Sequence, residues 1–131
     1  MREAFRPAAH PGLEGWVVRG PSGTIAERLV AAVTPFERVR GLLGRRELGP
    51  GEAMLIQPCS RVHTFGMRFP IDAVFCDAHL HVLWAETLEP GHVSRHVRRA
   101  RCCFELPAGT AERAGLAPGS ALELVRPAMS R

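Results

Sequence analysis

The chain has 131 residues, a length that suits one domain with a single hydrophobic core. Its apolar fraction of 46% is ordinary for a globular protein and argues against intrinsic disorder. No apolar run reaches the roughly 18–20 residues that a membrane-spanning helix needs. The N-terminal residues also lack the continuous apolar stretch of a secretory signal. We therefore expect a soluble cytoplasmic protein that does not contact a membrane.

All 17 basic residues are arginines, and 13 acidic residues leave a net charge of +4. Lysine, tyrosine and asparagine are all missing, so a bias across the whole chain accounts for many of the arginines. The charge permits anion binding without requiring it. The four cysteines form no Cys-x-x-Cys pair, which excludes the usual zinc ribbon and favours small buried thiols.

The first half of the chain predicts a lead-in, a hairpin and a helix. Residues 1–14 carry prolines and glycine without periodicity and are expected to be loose. Residues 16–19 and 24–33 read as two strands joined by a Gly-Pro-Ser-Gly turn, with a helix at 24–33 as the alternative because that stretch contains good helix formers. Thr34-Pro35-Phe36-Glu37 has the features of a capping box with proline at the first helical position. This signal predicts a helix to about Gly44, packed on a sheet.

The second half predicts short strands separated by turns. Thr110 is expected to cap a helix of one or two turns that ends at Gly115. We expect strands at residues 53–57, 61–69, 71–76, 80–86, 102–106 and 121–125, with a frayed tail at 127–131. Residues 71–76 and 80–86 should pair as a hairpin. The predicted fold is a mainly β domain over residues 15–126, a small antiparallel β-sandwich or partly closed barrel with one packed helix and one short helix.

Three segments resemble the family called domain of unknown function 192. They are residues 37–45 (ERVRGLLGR), residues 59–77 (CSRVHTFGMRFPIDAVFCD) and residues 104–119, which begin FELPAGT. The resemblance implies a small β-sandwich with a packed helix, and it implies no known biochemical activity. Some members of the family are exported, which weakens the expectation of a cytoplasmic location. The chain departs from the family pattern at Ala78, Gly91-His92 and Ser120.

The segment from Cys59 to Asp77 concentrates the reactive side chains. Cys59, His63 and Met67 carry ligand types that suit Cu(I) or zinc. Four residues of a regular strand span roughly 13 Å, however, so these side chains could meet only if the backbone bends at Pro58 or Gly66. We therefore expect no cofactor and keep a transition-metal site as an alternative.

His63 has two further possible uses. Asp72 could orient its imidazole, and the two could act as an acid and a base in a hydrolase or lyase. Alternatively, His63, Phe65, Met67 and Asp72 could line a small ligand pocket, because alternation places His63, Phe65, Met67 and Phe69 on one strand face. Asp72 could equally serve the structure by accepting backbone N–H bonds after Pro70.

A basic cluster follows at Arg95, Arg98, Arg99 and Arg101. It could bind phosphate or RNA, but the cluster has no interleaved aromatic residues for base stacking, so a nucleic-acid partner is not the first choice. A solvated loop or a strand edge guarded by charge is the alternative interpretation. The favoured hypothesis is a non-enzymatic module that binds a small ligand, a metal or a protein partner through Cys59–Asp77. The sequence leaves the ligand and the oligomeric state open.

Overall fold

The computed structural model describes residues 12–32 and 48–128, with only the backbone for Ala31 and Ala32. The described residues form two open sheets and one short helix, which confirms the mainly β, sandwich-like fold. The helix predicted at residues 34–44, most of the lead-in and the end of the tail lie outside the described residues. Leu13, at the end of the predicted lead-in, is buried in the core.

The smaller sheet has three strands in the order β2-β1-β8. These strands are β1 (Val17–Gly20), β2 (Gly23–Ala26) and β8 (Glu123–Val125), and both pairs are antiparallel. The predicted first hairpin is confirmed, because β1 and β2 are joined at the Gly-Pro-Ser-Gly turn. The strand predicted at 24–33 is divided into β2 and the next strand, which belongs to the other sheet.

The larger sheet has five strands in the order β3-β4-β7-β5-β6. Its members are β3 (Arg28–Ala32), β4 (Glu52–Ile56), β5 (Ile71–Cys76), β6 (Val82–Leu88) and β7 (Cys102–Pro107). Every pair is antiparallel except β3 with β4, which is parallel. The predicted hairpin of β5 and β6 is confirmed. Strand β6 lies at one edge of this sheet and β3 at the other.

Alternation along the strands gives the larger sheet two apolar faces. One face packs against the smaller sheet and forms an inter-sheet core, in which Leu55, Val74 and Phe104 are completely buried. The opposite face carries a second cluster, the outer-face core, built on Ile71, Ala73 and Phe75 with similar residues of β4 and β7. Irregular segments around residues 59–69 and 97–100 cover parts of this outer face. The candidate site is built from these covering segments.

The strand predicted at residues 61–69 is wrong. The Met67 N–H donates to the Thr64 carbonyl at 3.1 Å, and Gly66 has a φ of 81°, as the third residue of a type II turn requires. His63 alone pairs, in an isolated bridge with Val93. The turn breaks the alternation, so Phe65 projects into solvent while Met67 packs in the outer-face core.

The short helix α1 (Thr110–Arg113) is confirmed, but its predicted cap is wrong. Gly109, with a φ of 91°, occupies the N-cap position, and no side chain caps the helix. The Thr110 hydroxyl instead donates to the Pro107 carbonyl at 2.6 Å. Glycine adopts the left-handed conformation at little cost because it has no side chain, which explains why Gly109 occupies the position before the helix.

The turn between β5 and β6 works without glycine. Asp77 accepts the N–H groups of His79 and His81 on one carboxylate oxygen, each at 2.9 Å. Leu80 takes the left-handed conformation with a φ of 62° and is buried. Burial of the Leu80 side chain offsets the cost of this conformation for a non-glycine residue.

Candidate functional site

Two irregular segments, residues 59–70 and 90–101, pair along the outer face of the larger sheet. We call them the paired loops. Their hydrogen bonds join Cys59 N to Arg101 O (3.4 Å), Val97 N to Ser60 O (2.8 Å), Ser94 N to Val62 O (2.8 Å) and Val62 N to Ser94 Oγ (2.9 Å). The fold therefore brings together the two regions that the sequence separates by about the length of the β5–β6 hairpin.

Thr64 fixes the far end of this pairing. Its hydroxyl donates to the Glu89 carbonyl at 2.6 Å and accepts the His92 N–H at 2.9 Å. Its backbone N–H donates to the His92 carbonyl, and its carbonyl accepts the Gly91 N–H at 3.0 Å. Thr64 is completely buried, so each of these bonds is shielded from water. The turn that follows Thr64 is thus held firmly against the second loop.

Phe65 stands on this anchored turn as an exposed aromatic ring. Its side chain is 54% exposed, and its ring stacks on His63 with centroids 5.1 Å apart and planes 26° apart. Val93, the bridge partner of His63, is 49% exposed. These are the large apolar side chains with the greatest exposure among the described residues. The tip of the paired loops therefore presents an apolar, aromatic surface to solvent.

Positive charge is concentrated in the paired loops. They contain six arginines, at positions 61, 68, 95, 98, 99 and 101, and no aspartate or glutamate. The rest of the chain holds eleven arginines against thirteen acidic residues, which gives it a net charge of −2. All six arginines are exposed. Among residues 12–32 and 48–128, six of the ten arginines thus lie on the paired loops, which carry none of the ten acidic residues.

A groove of about 290 Å³ separates the second paired loop from the edge strand β6. It is lined by Leu83, Trp84 and residues 95–99. The Arg95 guanidinium lies 4.5 Å from the centroid of the Trp84 ring, a cation–π contact. Glu86 holds both partners, because one of its carboxylate oxygens accepts the Trp84 indole N–H at 2.9 Å and the Arg95 backbone N–H at 3.0 Å. The groove therefore combines three arginines with a fixed aromatic wall.

The structure does not bring Asp72 to His63. One Asp72 carboxylate oxygen accepts the Thr87 hydroxyl at 2.6 Å, and the other accepts the Ala111 N–H at 2.9 Å. Asp72 is 1% exposed and, by strand alternation, faces the inter-sheet core together with Val74. It joins β5, β6 and α1. This arrangement matches the structural interpretation of Asp72, with a helix N–H as one of its donors.

Cys59, His63 and Met67 are also dispersed. Cys59 Sγ donates to the Arg61 carbonyl at 3.4 Å, His63 stacks on Phe65, and Met67 is 7% exposed within the outer-face core. Because the backbone turns at Gly66, the Met67 side chain points into the protein while the Phe65 side chain points into solvent. Among residues 12–32 and 48–128, no group of three or more His, Cys, Asp or Glu side chains could hold a metal ion.

The cysteines form two contacts on opposite faces of the larger sheet. Cys76 and Cys102 are direct neighbours on β5 and β7, and Cys103 contacts Cys59 on the other face. A hydrogen bond with the Cys102 side chain, followed by burial, raises the pKa of the Cys76 thiol. Burial, followed by a hydrogen bond with Cys59, raises the pKa of Cys103. Raised values keep both thiols protonated and poorly nucleophilic.

A second cavity of about 280 Å³ lies between the β1–β2 turn, the turn at Pro50-Gly51 and helix α1. Its one charged lining residue is Arg113, which is exposed, and the other lining residues include Ser22, Thr24 and Thr110. It has no aromatic wall and no second charge. The groove beside β6 therefore offers the stronger set of binding groups.

Trp84 and Glu86 are the site residues that sequence reasoning missed. Both lie on a strand that was predicted correctly, two positions apart and thus on one face. In the sequence alone, an aromatic and an acidic residue on a strand that precedes a basic segment do not indicate a binding site. The pairing becomes visible only when β6 is known to be an edge strand next to residues 95–99.

Comparison with known proteins identifies the family. A structure from Sinorhizobium meliloti, which carries the provisional name of a transcription regulator, is similar with a TM-score of 0.69 and 27% identity over 83% of this chain and 92% of that chain. A protein of unknown function from Novosphingobium aromaticivorans is similar with a TM-score of 0.70 and 25% identity over 94% of this chain and 93% of that chain.

No curated protein matches the chain. Within residues 12–32 and 48–128, no helix has the length and apolar character needed to span a membrane. The profile of the family DUF192, described as an uncharacterized ACR, matches residues 18–124, which include both paired loops and the groove. The chain therefore belongs to the DUF192 family.

Proposed function

We propose that this protein is a non-enzymatic binding module for a phosphate-bearing anion, and that the ligand occupies the groove between β6 and residues 95–99. The observation that carries the proposal is the placement of Trp84 and three arginines around one groove. Arginine forms bidentate, charge-assisted hydrogen bonds with phosphate oxygens, and these are among the strongest polar contacts in proteins. An enzymatic role is not part of the proposal.

This proposal departs from the small-ligand pocket at His63, Phe65, Met67 and Asp72. These side chains do not converge: Phe65, with His63 stacked on it, faces solvent, Met67 packs in the outer-face core and Asp72 points toward helix α1. A hydrolase or lyase based on His63 and Asp72 is disfavoured for the same reason, because the Asp72 carboxylate is bonded to Thr87 and Ala111. The basic groove keeps its binding groups together and open to solvent.

A nucleic-acid ligand also gains support from Trp84. The cluster at 95–101 contains no aromatic residue of its own, but Trp84 supplies an aromatic ring from a neighbouring strand. The provisional name of the S. meliloti relative is compatible with a partner that carries phosphate groups. A cytoplasmic location would supply such partners in abundance.

Intrinsic fluorescence offers a direct test. The chain has two tryptophans, so a Trp16→Phe variant leaves Trp84 as the reporter. Titration with inorganic tripolyphosphate should change the Trp84 emission, because a ligand that draws the Arg95 guanidinium away alters the surroundings of the indole. Replacing Arg95, Arg98 and Arg99 together with glutamine should weaken binding about tenfold or more, since hydrogen bonds to charged groups are lost.

A matched control keeps the change in total charge constant. Arg19, Arg113 and Arg126 are exposed and lie outside the groove, so their triple replacement with glutamine should leave the affinity within about twofold. Equal weakening by the two triple variants would mean that only net charge matters. That result would indicate that the arginines protect the edge of β6 from pairing with other chains and do not form a binding site.

A further inference from the structure

We infer that the ligand of this site is single-stranded nucleic acid, with Trp84 and Phe65 as two platforms for its bases. The inference rests on the proposed function, because it assigns the phosphate groups of the ligand to the arginine groove. It adds a second aromatic residue and a chemical class of ligand. Nonspecific single-strand binding commonly combines a basic path for the backbone with aromatic rings on which bases stack.

The first platform is Trp84. Its ring already accommodates a planar group, since the Arg95 guanidinium lies 4.5 Å from the ring centroid. A base that takes this place gains stacking with indole, and the displaced guanidinium becomes available for a phosphate. The bond from the indole N–H to Glu86 holds the ring in position for this exchange.

The second platform is Phe65. Phe65 is 54% exposed, and Val93, the bridge partner of the stacked His63, is 49% exposed, so the tip of the paired loops leaves more than one apolar side chain in water. The turn is nevertheless held by the buried hydrogen bonds of Thr64, and the ring is supported from behind by His63. A rigid, backed and exposed ring is suited to stacking, because little conformational entropy is lost when a base binds.

The two platforms lie beside one extended stretch of the second paired loop. Phe65 stacks on His63, and His63 pairs with Val93 of that loop. Trp84 contacts Arg95 of the same loop. Val93 and Arg95 are two residues apart, roughly 7 Å along an extended chain. Ser94 between them is buried and bonded to Val62, so both neighbours project outward. A strand of a few nucleotides can therefore meet both rings and the arginines between and beside them.

Single strands fit this arrangement better than duplexes or acidic peptides. Bases within a duplex are stacked on one another, so their faces are not available to side chains. An acidic peptide would use the arginines but would gain little from the two aromatic rings. The charge of the paired loops is complementary to a polyanion along their whole length, with six arginines and no carboxylate.

The test uses the full chain and fluorescence anisotropy with labelled ten-residue oligomers of uridine and of deoxythymidine. We expect both to bind, and we expect an abasic oligomer with the same number of phosphates to bind at least tenfold more weakly. Phe65→Ala should reduce the affinity for uridine oligomers about 5- to 150-fold while leaving the dependence on salt unchanged, since stacking involves no counterion release.

Two variants serve as matched controls. Val93→Ala removes a side chain of similar exposure that cannot stack, so the affinity should change less than about twofold. Phe65→Trp should bind at least as tightly as the original chain, because indole also stacks. Circular dichroism should show that all three variants fold, as expected for substitutions of exposed side chains.

The outcomes separate the inference from the proposed function. Equal binding of abasic and uridine oligomers, with no effect of Phe65→Ala, would overturn the inference while leaving the anion site intact. Binding of polyglutamate as tightly as uridine oligomers would also overturn it and indicate an acidic protein partner. Failure to bind both tripolyphosphate and the oligomers would overturn the proposed function itself. Tighter binding of uridine than of deoxythymidine oligomers would support the inference and indicate that the ligand is RNA.

Discussion

Replacement of Asp72 by alanine should destabilise the protein severely without acting on the proposed binding site. Asp72 accepts two short hydrogen bonds, from the Thr87 hydroxyl and the Ala111 N–H, at 1% exposure. Hydrogen bonds to a charged group contribute about 1.5–3 kcal/mol each, so the loss of both should lower the free energy of unfolding by about 3–6 kcal/mol. That is a large share of the roughly 5–15 kcal/mol that holds a typical domain together.

Asp72→Asn tests the same reasoning more finely. The side-chain oxygen of asparagine can still accept the Ala111 N–H. The side-chain NH₂ group can donate to the Thr87 hydroxyl, because a hydroxyl can act as an acceptor as well as a donor. The expected cost is therefore about 1–2 kcal/mol, the charge-assisted part of the two bonds. A double-mutant cycle of Asp72→Ala with Thr87→Val should give a coupling of about 1–3 kcal/mol.

Urea unfolding followed by far-ultraviolet circular dichroism measures these differences, with equal m-values as the check that the two-state comparison holds. Asp77→Ala is the matched control. Asp77 also accepts two N–H bonds, but its side chain is 30% exposed, so water can replace it at a cost of about 1 kcal/mol or less. If Asp72→Ala costs no more than Asp77→Ala, burial does not set the strength of these bonds and our reasoning is refuted.

Three further predictions concern the turn at residues 64–67 and the thiols. Gly66→Ala should lower the free energy of unfolding by about 1–2 kcal/mol because φ is 81°, and an unchanged melting temperature would contradict the type II turn. Thr64→Val should lower the free energy of unfolding by about 1–3 kcal/mol and speed amide hydrogen exchange at His92, whereas unaltered exchange there would show that the Thr64 hydroxyl does not hold the paired loops together. Because the folded pKa values of Cys76 and Cys103 lie above the ordinary 9.0, the unfolded thiols ionise first, and stability should fall as pH rises above about 9. Urea unfolding at two alkaline pH values measures this, and a Cys76→Ala variant with an undiminished pH dependence would contradict it.

The sequence predicted the regular part of the fold well, because that part depends on local signals. The hairpin of β5 and β6 follows from two apolar runs around a turn, and the β1–β2 hairpin follows from Gly-Pro-Ser-Gly. The parallel pairing of β3 with β4 was not predicted, since parallel partners are chosen by tertiary packing and leave no turn signal.

The candidate site was harder to predict for a physical reason. Residues 61–69 alternate like a strand, yet the hydrogen bonds of Thr64 reach residues 89–92 and a glycine at position 66 closes a turn. Contacts of this range are decided by the assembled fold, and the alternation of Phe65 and Met67 is a coincidence of composition. The basic cluster was recognised, but its aromatic partner Trp84 comes from another strand.

The pairing of the two loops also bears on how the protein folds. Val62 and Ser94 are 32 positions apart, and Thr64 and His92 are 28 apart, but the β5–β6 hairpin lies between them. Once that hairpin forms, the chain that must still be closed shrinks to about a dozen flexible residues, which reduces the entropic cost of closure by about 0.8 kcal/mol. Closure of the paired loops is therefore about fourfold more favourable once the hairpin has formed, so we expect the proposed binding surface to assemble after β5 and β6 have paired. A substitution in the turn at Asp77 should then delay the pairing of the loops during refolding, although that turn lies outside the groove.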